Sequence, residues 1–252
     1  MLYWFLKTVG LGPWLKAIWR PYVEGAENVP ETGGAILASN HLSFCDSFFM
    51  PLMVKRRVTF LAKAEYFTTP GIKGWLSRVF FAGVGQVPID RNDADAAKGA
   101  LTAGVRILRK GELLGIYPEG TRSPDGRLYK GKTGVARLVL RAGVPVIPVG
   151  VINTQFVPSA IPKLPTMRRP VIKIGRPLDF SAYAAAGNDR EVLRWVTDQI
   201  MAEVMALSGQ EYVDAYGATV KAALAEGKPP PHSSATGPGA GSRVPPLPAA
   251  RS

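Results

Sequence analysis

The stretch GAILASNHLSFCD, residues 34–46, joins an apolar run to a polar turn and is the strongest indication of fold class in the chain. Residues 34–41 have the length and apolar character of a buried β-strand. Ser43 is a favourable helix N-cap, and Asp46 follows at the spacing of a capping box. A buried strand followed at once by a helix is typical of α/β proteins.

The spacing of His41 and Asp46 indicates how these two side chains can meet. On one continuous helix, residues five apart lie about 140° apart around the axis and cannot form a hydrogen bond. A strand that ends at His41 and a helix that begins at Ser43 instead bring the carboxylate within reach of the imidazole. Taken alone, Asp46 could be only a helix cap and His41 only a buried side chain. Together, at the carboxyl end of a strand, they are typical of a general base oriented by a carboxylate.

Ser43 and Cys45 lie in the same turn and are alternative nucleophiles. The turn lacks the G-x-S-x-G pattern of the serine hydrolases. Asp46 directly follows Cys45, and its negative charge disfavours a thiolate at that position. We therefore favour Ser43 as the helix cap and Cys45 as a residue facing the core, which leaves a cysteine-dependent thioesterase as the less favoured alternative.

Further strands and helices alternate along residues 24–227, which we predict to form one domain. The predicted strands lie at 58–63, 113–118, 144–152 and 170–178, and the predicted helices at 93–111, 133–143 and 190–209. Helices between buried strands predict a single layered α/β domain, with a largely parallel central sheet flanked by helices. Two prolines in the strand at 144–152 favour an edge strand or one that lines a cavity.

Both ends of the chain differ in character from this domain. Residues 1–23 combine aromatic and basic side chains without an acidic residue, which is typical of an amphipathic segment that docks on a membrane. Gly10, Gly12 and Pro13 divide this segment into two short helical pieces. The alternative to membrane docking is that the segment packs on the core of the domain. Residues 70–85 are a second candidate for an amphipathic helix, and packing on the core and contact with lipid are equally favoured for it. Residues 228–252 are rich in Pro, Gly, Ser and Ala and are predicted to be disordered.

Composition excludes several classes of site and favours anionic partners. The 252-residue chain has 31 Lys and Arg against 19 Asp and Glu, a net charge of +12, which attracts anionic lipid, nucleic acid or phosphorylated substrates. One Cys excludes an intramolecular disulfide, and two His exclude a zinc site built on several histidines. No apolar run of about 18 residues is present, so an ordinary membrane-spanning helix is not predicted.

Two further loops carry cations at the ends of predicted strands. Arg91 follows a short extended segment, and it could instead pair with a neighbouring aspartate. The sequence YPEGTRSPDGRLYKGKTG, residues 117–134, is punctuated by glycine and crowded with charge, so it can present cations and backbone N–H groups to a phosphate. A solvated turn is the alternative. Residues 119–132 of this loop offer only Tyr129 for stacking on a base, which argues against a nucleic-acid partner.

Four motifs in order resemble those of the glycerolipid acyltransferases. NHLSFCD resembles the N-H-x-x-x-x-D motif of that family, GQVPIDR its second motif, YPEGTRS its third and VPVIPVGV its fourth, over about residues 24–180. The resemblance implies that His41 is the general base and that Asp46 orients it. It gives Ser43 and Cys45 no catalytic role. It places in the substrate-binding site the residues Lys63, Arg91, Glu119, Gly120, Thr121 and Arg122.

The resemblance also implies a substrate class and a location. The expected reaction moves an acyl chain from acyl-CoA or acyl carrier protein to the sn-2 hydroxyl of lysophosphatidic acid, making phosphatidic acid without an acyl-enzyme. No metal and no cofactor beyond the acyl donor are expected. The expected location is the cytoplasmic face of the cell membrane, on an anionic surface and without crossing it. A related acyltransferase acting on glycerol-3-phosphate or another lysophospholipid, and a non-enzymatic binder of anionic lipid, are the alternatives.

Overall fold

The computed structural model describes residues 2–63, 65–68, 70–83, 85–89, 96–157 and 166–248. The strands in these ranges are β1 (Tyr22–Glu24), β2 (Ala35–Ser39), β3 (Val58–Lys63), β4 (Gln86–Ile89), β5 (Leu113–Ile116), β6 (Leu128–Tyr129), β7 (Val146–Ile152), β8 (Phe156–Val157), β9 (Thr166–Met167), β10 (Val171–Ile174) and β11 (Tyr212–Val213). The α-helices are α1 (Leu2–Thr8), α2 (Leu11–Trp19), α3 (Asp46–Met53), α4 (Glu65–Thr68), α5 (Gly71–Gly83), α6 (Ala96–Arg109), α7 (Gly134–Ala142), α8 (Arg190–Ser208) and α9 (Gly217–Ala225). Short 3₁₀ helices span Ala26–Asn28 and Ser181–Ala186.

A seven-stranded sheet in the order β1-β10-β7-β2-β5-β3-β4 forms the centre of the domain. Its pairings are parallel except that between β10 and β7, which is antiparallel. This confirms the predicted α/β domain with a largely parallel sheet flanked by helices. Because β2 lies between β5 and β7 and runs parallel to both, the loops that follow these three strands meet at one edge of the sheet.

The sheet separates two hydrophobic cores, and the side chains of β2, which alternate between its two faces, contribute to both. Ile36 and Ala38 point to the side covered by α6, α7 and α8. Ala35 and Leu37 point to the opposite side, where Phe49 and Met50 of α3 pack beside them. Every residue of β2 is buried, which is the physical reason that this strand is a continuous apolar run in the sequence.

The helices begin and end close to the predicted positions, with two exceptions. The Asp189 side chain accepts hydrogen bonds from two N–H groups at the start of α8, and Gly209, with a φ of 70°, ends that helix. The helix predicted from Ser43 begins at Asp46, because residues 44 and 45 form a turn first. The predicted N-cap of α6 at Asp93 lies outside the described residues.

The strand predicted at 144–152 corresponds to β7, which holds one of its two prolines, Pro148. Because β7 lies inside the sheet, the prediction of an edge strand was wrong, and the alternative of a cavity-lining strand stays a prediction. Pro148 is tolerated there because the ladder with β10 is interrupted beside it. The Pro148 carbonyl accepts a hydrogen bond from the Gly175 N–H, just past the end of β10. Pairing resumes between Val146 and Leu178, so the missing N–H of the proline falls at the interruption.

The N-terminal segment forms the two short helices that were predicted, α1 and α2, and one side of them packs on the domain. Tyr3 is buried, and Leu15 and Trp19 contact the core on the α3 side of the sheet. The Lys7 ammonium donates to the Val54 carbonyl at the end of α3, and burial lowers the pKa of Lys7 to about 8. None of the helices in the described part of the chain is long and apolar enough to cross a bilayer.

The C-terminal segment, residues 228–248 of the described chain, has no regular helix or strand and yet contacts the domain. The Arg127 guanidinium donates to the Pro231 carbonyl, and the Asp214 N–H donates to the Ser234 hydroxyl. The Tyr183 hydroxyl donates to the Pro245 carbonyl. Disorder was predicted for this segment from its composition, which gives no indication of these contacts with the domain.

We expect Gly150→Ala to destabilise the protein, because α8 packs backbone to backbone against β7 at this position. A Cβ atom on Gly150 would lie 2.7 Å from the Leu207 carbonyl carbon and 2.7 Å from the Ser208 nitrogen. The expected loss is about 1–3 kcal/mol in the free energy of unfolding, measured in urea. Gly99→Ala is the matched control: that glycine is exposed on α6 with nothing near its Cβ position, so the change should be neutral or stabilising. Equal effects of both changes would contradict the packing argument.

Candidate active site

His41 and Asp46 form a hydrogen-bonded pair at the edge of the sheet where β2 ends. The imidazole Nδ1 lies 2.8 Å from Oδ2 of Asp46. The Asp46 side chain is completely buried, and that of His41 is 16% exposed. The contact that the spacing of the two residues predicted is therefore present. Since Nδ1 is engaged by the carboxylate, Nε2 is the ring nitrogen left for a substrate.

The Asp46 carboxylate is buried among hydrogen-bond donors. Oδ2 also accepts the backbone N–H groups of Leu42 and Ser43, at 2.7 and 2.9 Å. Oδ1 accepts the hydroxyl of Thr154, which follows β7. A carboxylate with several such donors can stay ionised without solvent, so it can hold the imidazole in the tautomer with a proton on Nδ1.

One half of the predicted capping box is formed, between the Ser43 N–H and the Asp46 carboxylate, although the regular helix starts later. The other half is not formed, because the Ser43 hydroxyl accepts the N–H of Cys45, at 3.0 Å, and not that of Asp46. The Ser43 hydroxyl also donates to the Thr154 carbonyl at 2.7 Å. With these partners Ser43 fixes the turn.

Cys45 is a partly buried free thiol that packs against the core on the α3 side of the sheet, as predicted. Burial, with a contribution from the Asp46 charge, raises the pKa of its thiol, so the reactive thiolate is disfavoured at neutral pH. This argues against a thiol-dependent reaction.

Tyr117, the first residue of the YPEGTRS motif, stacks flat on the imidazole of His41. The ring centroids are 3.8 Å apart and the planes differ by 8°. Tyr117 is also stacked with Phe60, with the ring centroids 5.6 Å apart. Sequence reasoning gave Tyr117 no role, although an aromatic residue at a strand end next to a site is a signal that could have indicated one.

Glu119 is a buried residue that joins the two loops around the site. Its side chain is 1% exposed, and its two oxygens accept the N–H groups of His41, at 3.1 Å, and Tyr129, at 3.0 Å. Burial raises the pKa of Glu119 to about 8, against the effect of those hydrogen bonds. In this structure Glu119 therefore holds the backbone of His41 in place, and its expected role in substrate binding stays a prediction.

The rest of the predicted phosphate site is only partly described. Gly120 has a φ of 71°, which favours glycine, and the Lys132 side chain lies over it. Thr121 is half-buried, and its methyl group lies near Gly217. Arg122 is exposed and has no ion pair with a described residue.

Two of the expected phosphate ligands cannot be placed in full. The backbone of Lys63 ends β3, beside β5 at the same edge of the sheet. Its side chain and the whole of Arg91 lie outside the described residues.

The charged groups of the 117–134 loop divide into paired and unpaired cations. Arg127 pairs with Asp125 at 2.6 Å, and Lys130 pairs with Asp214 at 2.9 Å. Arg122, by contrast, has no ion pair with a described residue. The next residue is fixed to the site, since the Ser123 N–H donates to the His41 carbonyl at 2.8 Å. Across the described ranges, no cluster of three or more side chains of the kinds that bind metals is present.

Two residues that position the turn were missed by sequence reasoning. Asn40 uses its amide to accept the Val151 N–H and to donate to the Val151 carbonyl, which ties the end of β2 to β7. Thr154, described above, is the second. Both residues follow buried strands, β2 and β7, that are neighbours in the sheet. Knowledge of this strand order would have predicted that the two residues lie close together.

Comparisons with known proteins agree on one family. The family model described as Acyltransferase matches residues 20–152. The 1-acyl-sn-glycerol-3-phosphate acyltransferase of Pseudomonas aeruginosa is 34% identical over 139 residues, 55% of this chain and 51% of that protein. The chloroplastic 1-acyl-sn-glycerol-3-phosphate acyltransferase of Arabidopsis thaliana is 35% identical over 133 residues, 52% of this chain and 36% of its own length.

A solved structure is similar over more of the chain. The crystal structure of the 1-acyl-sn-glycerophosphate acyltransferase from Thermotoga maritima aligns with a TM-score of 0.52 and 27% identity, covering 71% of this chain and 68% of that one. The curated relatives are matched over less of their length: the chain spans about a third of the Arabidopsis protein and about half of the Pseudomonas protein.

We expect Thr154→Val to destabilise the protein, because it leaves an oxygen of the buried Asp46 carboxylate without its donor. The expected cost is about 1–3 kcal/mol in the free energy of unfolding. Thr154→Ser is the matched control, since it keeps the hydroxyl and removes only a methyl group, and it should cost less. Urea unfolding at neutral pH compares the two. If serine and valine cost the same, the hydroxyl contributes nothing at this site.

Proposed function

This chain belongs to the acyltransferase family, and we propose that it transfers an acyl chain from a thioester donor to the sn-2 hydroxyl of 1-acyl-sn-glycerol-3-phosphate. The product is phosphatidic acid. The observation that supports this proposal most strongly is the His41–Asp46 pair at the carboxyl edge of the sheet, which lies within the residues matched by the family model. The names of the similar proteins from Pseudomonas aeruginosa, Arabidopsis thaliana and Thermotoga maritima support the choice of acceptor.

In this proposal His41 is a general base and the substrate supplies the nucleophile. Nε2 takes the proton of the acceptor hydroxyl while the oxygen attacks the thioester carbonyl, which forms the new carbon–oxygen bond. The carbon–sulfur bond then breaks, and the proton passes from His41 to the leaving thiolate. Asp46 keeps the imidazole in the reactive tautomer and stabilises the imidazolium. No acyl-enzyme forms, in agreement with the raised pKa of Cys45.

Binding of the acceptor depends on cations at the same edge of the sheet. Arg122 is exposed and forms no ion pair within the part of the chain that the structure describes. It precedes a residue whose backbone is bonded to His41, so we assign it to the phosphate. Lys63, Arg91, Gly120 and Thr121 join it on the strength of the resemblance. Holding the glycerol phosphate in this way orients the sn-2 hydroxyl toward the base, which can lower the barrier by several kcal/mol. The donor is acyl-CoA or acyl carrier protein, and no other cofactor takes part.

The enzyme works, in this proposal, on the cytoplasmic face of the membrane without crossing it. The docking face consists of the exposed apolar side chains of α1, α2 and α5, namely Leu2, Trp4, Phe5, Trp14, Ile18, Ile72, Trp75 and Val79. Aromatic residues of this kind bind at the membrane interface, and the net positive charge favours an anionic leaflet.

An aromatic cluster connects the docking face with the site. The exposed Phe44 follows His41 by three residues and contacts Phe48 and Phe81. Phe81 belongs to α5, and Leu2 and Leu6 of α1 contact the last turn of that helix at Gly83. A lipid acceptor can therefore reach the base along apolar surface.

We expect purified protein to acylate lysophosphatidic acid in preference to glycerol-3-phosphate, when both are offered with acyl-CoA or acyl carrier protein as the donor. His41→Ala should lower kcat by about 10²–10⁴-fold, the usual contribution of a general base. Cys45→Ala is the control in the same turn, and it should leave kcat essentially unchanged. Locating the new ester at sn-2 by positional hydrolysis completes the test. Activity that survives His41→Ala, or is lost with Cys45→Ala, would exclude this mechanism.

We expect vesicle binding to depend on the docking face. Trp14→Glu with Ile18→Glu should weaken binding to vesicles that contain anionic lipid by about tenfold or more, since both side chains would otherwise leave water. Val244→Glu with Leu247→Glu is the matched control, because these residues are 67% and 65% exposed, against 69% and 61% for Trp14 and Ile18. Co-sedimentation measures both pairs. The docking proposal fails if the two pairs behave alike.

A further inference from the structure

We propose that Tyr117 is a positioning residue for the base, which holds the imidazole of His41 by face-to-face stacking and stabilises it while it carries the transferred proton. The catalytic part of this inference rests on the proposed function, in which His41 takes up that proton. The geometric part does not depend on it. Tyr117 itself makes and breaks no bond during the reaction.

The first argument is that one hydrogen bond cannot fix the plane of a histidine ring. The 2.8 Å bond from Asp46 restrains Nδ1, but coupled changes of the two His41 side-chain torsions can still tilt the ring while the bond is kept. Tyr117 removes this freedom, because its ring covers one face of the imidazole at 3.8 Å with the planes 8° apart. The two contacts together give Nε2 a single direction.

The second argument is that the neighbouring strands are built to support the stack. Phe60 of β3 and Gly115 of β5 are paired in the sheet, and the Phe60 ring lies over the glycine. A Cβ atom on Gly115 would lie 2.3 Å from that ring. Tyr117 comes two residues after Gly115, so the alternation of a strand places both on the same face of the sheet. The Tyr117 ring is stacked with Phe60, with the centroids 5.6 Å apart. Gly115 therefore makes room for the Phe60 ring, which is stacked with Tyr117 as Tyr117 is with His41.

The third argument is that α3 holds the tyrosine as well as the histidine. The Tyr117 hydroxyl lies 3.0 Å from the hydroxyl of Ser47. Ser47 directly follows Asp46, so one turn of α3 supplies both restraints on the base. Burial and the Asp46 charge raise the pKa of the Tyr117 phenol well above its ordinary value, so the ring stays neutral at the pH of the reaction.

The chemical consequence follows from the charge of the base during the reaction. The imidazole is neutral when the substrates bind and cationic after it takes the proton. The π face of a neutral tyrosine attracts a cation more strongly than it attracts a neutral ring. The stack therefore favours the protonated state, which forms only along the reaction, so its loss should lower kcat and leave substrate binding unchanged.

A substitution series at Tyr117 tests the catalytic part. Tyr117→Leu should lower kcat about tenfold, with the KM of both substrates unchanged. Tyr117→Phe should keep most of the activity, because it keeps the ring and loses only the bond to Ser47. Phenylalanines with one to four ring fluorines at this position keep the size of the ring and weaken its π face, so kcat should fall stepwise. A kcat independent of fluorination, or a loss confined to KM, would overturn the electrostatic role.

The geometric part has a test that needs no activity. The chain has two histidines, His41 and His232, so the ring signals of His41 are identified in isotope-labelled protein by comparison with His232→Ala. Stacking on Tyr117 should shift the carbon-bound ring protons of His41 upfield. Tyr117→Phe should keep that shift and Tyr117→Leu should abolish it. An unchanged spectrum in Tyr117→Leu would overturn the stack.

The two readouts separate a failure of this inference from a failure of the proposed function. A protein that transfers no acyl chain to any acceptor, yet shows the upfield shift, removes the proposed function and leaves the stacked base in place. A protein that transfers acyl chains as expected and keeps its kcat in Tyr117→Leu removes the inference and leaves the proposed function in place.

Discussion

The buried charge of Asp46 is the constraint on which the site depends. A carboxylate without solvent needs several donors, and each donor it accepts fixes one part of the fold. The N–H groups of Leu42 and Ser43 hold the turn after β2, the hydroxyl of Thr154 holds the loop after β7, and the imidazole of His41 completes the set. Orientation of the base is thus a consequence of satisfying one buried charge.

The sheet makes this arrangement possible because its parallel strands end together. Asn40 bonds the end of β2 to the backbone of Val151 in β7, on one side of the turn. Glu119, from the loop after β5, bonds the His41 backbone on the other side. The neighbours of β2 therefore both contribute to holding His41. A histidine on an exposed loop would have no comparable support, and the residues that provide it here are far apart in sequence.

The parts of the structure that local pattern determines were predictable, and the parts that depend on distant contacts were not. The strand at 58–63 and the contact between His41 and Asp46 follow from composition and spacing over a few residues. The bond from Thr154 spans 108 residues, so no local signal indicates it. Glu119 was expected to contact substrate because of its motif, and only the fold shows that its oxygens are taken up by backbone N–H groups. Likewise, the position of Pro148 inside the sheet depends on where β10 stops.

The two sides of the turn after β2 differ in physical character, and under the proposed function this difference suits a rigid base and a flexible substrate. Its inner side is polar, buried and fixed by hydrogen bonds, because a displaced imidazole would miss the hydroxyl it must deprotonate. Its outer side carries the exposed Phe44, which packs against Phe81 of α5. Acyl chains are bound by removal of apolar surface from water, which is non-directional and needs no fixed geometry. A turn with precise polar contacts on one side and adaptable aromatic contacts on the other can therefore position the reacting hydroxyl while it accepts chains that differ in conformation.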